Sequence, residues 1–173
     1  MTTAELKALV RDVPDFPSAG VIFKDLMPLI ADATAFSAAI DHLADWAAPR
    51  RPEVILGAEA RGFIFGGALA YRLNCGFVPA RKPGKLPWTT IEATYALEYG
   101  EDTLQVHADA LSQGARVVVL DDVLATGGTA AAKVELVRQL GGDVVGALFV
   151  IELEFLSGRE RLTGIDTHAL IAY

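Results

Sequence analysis

Val117-Val118-Val119-Leu120-Asp121-Asp122-Val123-Leu124-Ala125-Thr126-Gly127-Gly128-Thr129 decides the reading of this chain. Four consecutive aliphatic residues describe a strand buried on both faces, as in a parallel sheet. Two adjacent carboxylates, Asp121 and Asp122, stand where such a strand emerges at its carboxyl end. Ala125, Thr126, the Gly127-Gly128 pair and Thr129 come next, followed by the helix formers Ala130 to Lys133. A glycine turn feeding a helix start makes an anion site, because backbone N–H groups converge there and the helix dipole favours negative charge. Thr126 and Thr129 add hydroxyl donors. Carboxylates repel phosphate, so an acid pair beside such a cradle points to hydroxyls or a divalent cation on the same ligand. An ordinary buried strand and turn would leave the acid pair and both threonines unexplained. Two other glycine motifs fail. A Walker loop needs Lys after its second Gly, where this chain has Thr129, and a dinucleotide fingerprint needs a third spaced Gly.

At 173 residues, with 52% apolar and 21% charged, the chain reads as one globular domain spanning 1–173. Its formal charge of −7, with no basic run, argues against general nucleic-acid binding. Cys75 is the sole cysteine, which excludes a disulfide framework within the chain and suits a buried structural thiol. Met1-Thr2-Thr3-Ala4-Glu5-Leu6 has no charged-then-apolar signal pattern, and no apolar run of about 18 residues follows. A soluble cytoplasmic protein without a membrane partner is expected. Positive mean hydropathy in a chain this small hints at a buried subunit interface.

Leu6, Leu9 and Val10 are spaced for a short amphipathic helix, and the two prolines and Gly20 within 12–20 break it. Val21-Ile22-Phe23 is then a brief extended segment. Thr34 is expected to cap a helix carrying Phe36, Ala39, Ile40, Leu43 and Trp46 on its core face. Val54–Ala58 is a strand, followed by the polar corner Glu59-Ala60-Arg61-Gly62 and an apolar helix to Leu73. That corner lies at the carboxyl edge of a parallel sheet, where ligands sit in open α/β folds. Arg61 there suits a diphosphate through planar, charge-assisted donors. After the strand Phe77–Arg81, the run Lys82-Pro83-Gly84-Lys85-Leu86-Pro87-Trp88 reads as an exposed loop. Its cations are either a solvated face or neutralisers of a bound diphosphate. Residues 93–100 and 104–107 predict a β-hairpin lid. His42, Trp46 and His107 read as structural. Alternating strands and helices give an α/β domain with a doubly wound, mainly parallel sheet.

The 117–129 stretch closely resembles the phosphoribosyl-pyrophosphate signature of type I phosphoribosyltransferases. Four further segments match in the family's order: an N-terminal hood (about 1–30), the pyrophosphate loop, the lid (about 82–107) and the closing segment after Glu152. The hood and the lid resemble the adenine-specific members. The resemblance implies that Asp121 and Asp122 hold ribose hydroxyls while Ala125, Thr126, Gly127, Gly128 and Thr129 hold the 5′-phosphate. It makes Glu59, Ala60 and Arg61 the pyrophosphate loop, with Lys82 and Lys85 as lid cations. Main-chain groups of Ile22 and Lys24 would read the edge of adenine, Phe23 would stack on it and Leu153 would pack against it. Glu98, near the base and the glycosidic bond, would exchange a proton with the base. The chain departs from common family choices at Lys24, often Arg, and at Glu59, often Asp. The resemblance further implies Mg²⁺ held through the substrate's diphosphate and ribose hydroxyls without a direct protein ligand, and a homodimer. The implied reaction is purine salvage, with adenine and phosphoribosyl pyrophosphate giving AMP and pyrophosphate. Two alternatives stay open: a sister transferase for another base, and a non-catalytic sensor of phosphoribosyl pyrophosphate.

Overall fold

The first helix, α1 (Thr3–Ala8), is set by reciprocal capping: the Thr2 hydroxyl accepts from Glu5 N and the Glu5 carboxylate accepts from Thr2 N. The structure, a computed structural model, describes residues 1–96 and 100–173. Strand β1 (Arg11–Pro14) pairs antiparallel with β2 (Ile22–Asp25). The sequence suggests a break from residue 12, but Asp12–Pro14 extend, which Pro14 tolerates at the end of an edge strand. A short α2 (Met27–Ala31) leads into α3 (Ala33–Ala47). The expected cap at Thr34 is corrected here: Asp32 accepts from Ala35 N at 2.8 Å and Thr34 lies inside the helix. An ionised carboxylate satisfies the orphan N–H and also gains from the helix dipole, so it displaces the hydroxyl.

The remaining elements alternate as expected. They are β3 (Val54–Ala58), α4 (Arg61–Leu73), β4 (Gly76–Ala80), the hairpin β5 (Thr90–Ala96) and β6 (Glu101–His107), β7 (Arg116–Leu124), α5 (Gly128–Gln139), β8 (Asp143–Glu152) and β9 (Thr167–Ala172). Among the described residues the main sheet runs β4-β3-β7-β8-β9, with every pair parallel. Val118 and Leu120 face α3 and α4 with Leu43, Phe65 and Leu69, whereas Val117 and Val119 face α5 and the hairpin with Val137 and Val106. All four β7 residues are 0% exposed. Burying one such side chain contributes about 1.5–3 kcal/mol, more than an exposed ion pair, so the sheet centre holds the fold. This is a doubly wound parallel sheet, with its carboxyl edge leading into the 59–62 corner, the 125–127 turn and the closing segment.

Trp46 of α3 stacks on His168 of β9, with ring centroids 5.6 Å apart and the Arg50 guanidinium 3.4 Å from the indole centroid. Trp88, in the segment leading to the hairpin, is 64% exposed. His42 Nε2 lies 2.8 Å from the Met1 carbonyl oxygen, and His107 Nε2 is buried without a hydrogen-bond partner among the described residues. Cys75 packs on the core, and burial pushes its thiol pKa up. Among the described residues no helix is long and apolar enough to cross a membrane.

Candidate active site

The cradle forms where β7 ends. Gly127, at φ +82°, caps α5, and a Cβ there would stand 2.3 Å from the Gly158 carbonyl oxygen. Only glycine fits, both for its left-handed backbone and for this contact. The turn therefore lies directly against the closing segment, whose Gly158 is equally confined: a Cβ on it would approach the Ala125 carbonyl oxygen to 2.2 Å. The α5 N-terminus opens into a cavity of about 220 Å³ lined by Ala125, Thr126, Gly127, Gly128 and Thr129. The same cavity is walled by Glu59, Arg61, Lys82, Asp121 and Asp122. Ten residues singled out from the sequence thus meet in one space.

The two carboxylates have different surroundings. Asp121 is 8% exposed; its Oδ2 accepts from Lys133 Nζ at 2.7 Å and its Oδ1 from Asp122 N at 3.1 Å. Burial pushes the Asp121 carboxyl up to about 6, with the Lys133 ammonium pulling against that rise and Asp122 adding to it. A Cβ on Gly62 would come within 2.7 Å of Asp121 Oδ1, so α4 begins against this carboxylate. Asp122, 7% exposed, accepts from Arg61 Nε. The Arg61 guanidinium also lies over the Phe23 ring, 5.3 Å from its centroid.

Glu59 acts as a staple. Its Oε1 accepts from Lys82 N at 2.6 Å and its Oε2 from Arg81 Nη2 at 2.8 Å, which ties the loop after β3 to the root of the hairpin. The Glu59–Ala60 peptide is cis. Lys82 Nζ pairs with Asp102 Oδ2 at 3.0 Å, and the Tyr95 hydroxyl donates to the same oxygen at 3.3 Å. Ala60, the residue before α4, and Lys85, exposed on the 82–88 loop, do not line the cavity.

A second, mainly apolar cavity of about 530 Å³ adjoins the first. Ile22, Lys24, Leu153 and Phe155 line it, and Thr126 lines both cavities. The Lys24 ammonium is engaged by Asp12 at 2.7 Å and lies over the Tyr173 ring. Among the described residues β2 pairs only with β1, so one edge of β2 keeps backbone groups without a strand partner. Phe23 packs edge-on against Phe16 and does not line this cavity. Glu98 lies outside the described residues.

The family model described as phosphoribosyl transferase domain matches residues 27–166. An adenine phosphoribosyltransferase of Acidobacterium capsulatum is 55% identical over 168 residues, covering 97% of this chain and 93% of that protein. This chain belongs to the adenine phosphoribosyltransferase family. The crystal structure of the adenine phosphoribosyltransferase from Thermoanaerobacter pseudethanolicus superposes with TM-score 0.97 at 50% identity, covering 99% of this chain and 100% of that one. The adenine phosphoribosyltransferase of Saccharomyces cerevisiae, solved with adenine and an imino-altritol bisphosphate, gives TM-score 0.91 at 41% identity, covering 97% of each chain.

Several residues that shape this site carry no obvious mark in the sequence. Arg159 Nε and Nη2 both donate to the Glu152 carboxylate at 2.6 Å, fixing the closing segment on the end of β8. Lys133 and the Gly127–Gly158 contact were likewise missed. Lys133 carried a signal, because it shares a helical face with Ala130 and Val137, both buried. A charge on a core-facing stripe needs a partner. The Arg159 and Gly158 contacts carried none, since they join turns that no periodicity relates.

Proposed function

We propose that this protein transfers the phosphoribosyl group of phosphoribosyl pyrophosphate to adenine, giving AMP and pyrophosphate in purine salvage. The observation that carries this reading is Thr126, shared by a polar cavity at a helix N-terminus and an apolar cavity under the hood. A ribose phosphate in the first and a planar base in the second would meet at the anomeric carbon. Thr126, Gly127, Gly128 and Thr129 receive the 5′-phosphate through backbone N–H groups and hydroxyls. Asp121 and Asp122 take the ribose side, and Arg61 with Lys82 faces the diphosphate. Ile22 and Lys24 offer main-chain groups to the base edge, and Leu153 packs on the base. Electrostatic positioning at the anomeric carbon does the work as pyrophosphate departs, with no covalent intermediate.

The donor set also fits Mg²⁺ carried on the substrate. Asp122 offers a hard carboxylate oxygen to the cavity, beside the space a bound diphosphate would fill. When bound, the ion would screen the leaving diphosphate. We further propose a single domain over 1–173, with the hood at about 1–30 and the lid at about 82–107, and assembly as a homodimer. A cytoplasmic setting goes with this reading, because a sugar diphosphate does not cross a bilayer unaided.

The deciding experiment follows AMP formation from labelled adenine, with and without Mg²⁺, beside hypoxanthine and guanine. Fixed backbone donors and acceptors leave buried groups unpaired with the wrong base, so kcat/KM for adenine should exceed the others by about 10⁴-fold. Comparable turnover of hypoxanthine or guanine would sink the adenine assignment.

A further inference from the structure

Lys133 sits on α5 just beyond the cradle, with no exposed surface at all (0%). Its Nζ donates to the Leu120 carbonyl and to Asp121 Oδ2, each at 2.7 Å, and lies 5.9 Å from the centroid of the Phe149 ring. Desolvating an ammonium is costly, and an apolar side chain at this position would satisfy the packing at least as well. Both Asp121 oxygens are already engaged from inside the protein, one by Lys133 and one by Asp122 N, with Gly62 against Oδ1. The acid pair, meanwhile, borders a cavity suited to a polyanion. An uncompensated second carboxylate there would repel the ligand that the cradle attracts.

We propose that Lys133 is a positioning residue for phosphoribosyl pyrophosphate, rather than only a structural partner. It cancels the Asp121 charge from behind and locks that carboxylate, so that the ligand meets a fixed Asp121 beside Asp122. It also links two parts of the site mechanically. The helix whose N-terminus forms the cradle carries, four residues after Thr129, the cation that holds Asp121 in the second half of β7. Cradle and acid pair therefore move as one body. Lys133 itself touches no substrate. This inference rests on the proposed reading of Asp121 and Asp122 as the ribose side of the site.

The test compares Lys133→Met with the parent protein at a temperature where near-ultraviolet circular dichroism reports full folding of both. Affinity for phosphoribosyl pyrophosphate with Mg²⁺ is measured by calorimetry, and KM is measured for both substrates. Phosphoribosyl-pyrophosphate binding should weaken about 10- to 100-fold, while KM for adenine moves by less than about twofold. Folded Lys133→Met with parental affinity for phosphoribosyl pyrophosphate would overturn the proposal, reducing the pair to a structural one. Should Lys133→Met not fold, Lys133→Gln, which keeps an N–H donor toward Asp121 without the charge, is judged by the same criteria. In a cycle with Asp121→Asn the two losses should fail to multiply, because they break one interaction; multiplied losses would also refute it. A parent protein that makes no AMP would overturn the functional reading itself, whereas normal parental turnover with unchanged variant affinity would overturn this inference alone.

Discussion

Asp121 and Asp122 are identical in chemistry and adjacent in sequence, yet their substitutions should fail differently. Asp121→Asn leaves the buried Lys133 ammonium without its counter-charge, held by the Leu120 carbonyl, which should cost roughly 3–5 kcal/mol of stability and lower the melting temperature. Asp122→Asn releases Arg61, whose side chain is 41% exposed and can rehydrate, so melting should change little. Its defect should instead appear as roughly 1.5–3 kcal/mol of lost phosphoribosyl-pyrophosphate affinity by calorimetry. Equal melting temperatures for the two variants would contradict this division. At Glu98 the family resemblance supplies the expectation. If this carboxyl exchanges a proton with the base, Glu98→Gln should slow single-turnover chemistry by about 10²–10⁴-fold with phosphoribosyl-pyrophosphate affinity kept. A near-normal single-turnover rate in that variant would assign the proton elsewhere.

The elements were legible where their periodicity was strong. The buried run 117–120 announced a central parallel strand, and the glycine turn with its acids announced the cradle, because both are contiguous in sequence. What stayed hidden joins distant turns. No spacing rule connects Gly127 with Gly158, or Glu59 with the Arg81–Lys82 backbone, although these contacts set the shape of the cavity. The missed strand β1 and the misplaced cap at Thr34 have a related cause, in that local propensity lost to pairing and to a nearby stronger acceptor. The hidden contacts make a prediction at this scale. Gly158→Ala places a methyl group 2.2 Å from the Ala125 carbonyl oxygen, so the cradle must shift although residue 158 lies outside the lining of the polar cavity. Displacement of this kind should raise KM for phosphoribosyl pyrophosphate about 10²-fold, with adenine affinity nearly kept. Steady-state kinetics with each substrate varied in turn would check it, and an unchanged KM would mean that the turn yields freely.

For the molecule as a whole, α4 poses the question of assembly. Phe65 and Leu69 are fully buried, but Ile64 is 40% and Tyr71 90% exposed. With Ala68 they fall at i, i+4 and i+7, an apolar stripe along the outer side of the helix. A second copy of the chain related by a twofold axis would bury that stripe. Light scattering at micromolar concentration should therefore give the mass of two chains, about twice 18.4 kDa. Introducing a charge with Ile64→Glu should shift the mass toward one chain; a monomeric parent would refute the dimer outright.

The chain's two tryptophans are placed as a reference and a reporter. Trp46, half-buried between Arg50 and His168, contacts neither of the two cavities at the carboxyl edge of the sheet. Trp88 stands in water at the approach to the hairpin. Covering an indole moves its fluorescence to shorter wavelength, so a lid that closes over bound diphosphate would blue-shift Trp88 emission against a constant Trp46 background. The enzyme would then carry its own label, and the rate of that colour change in a stopped-flow instrument, absent in Trp88→Phe, would time the closing of the lid without any dye.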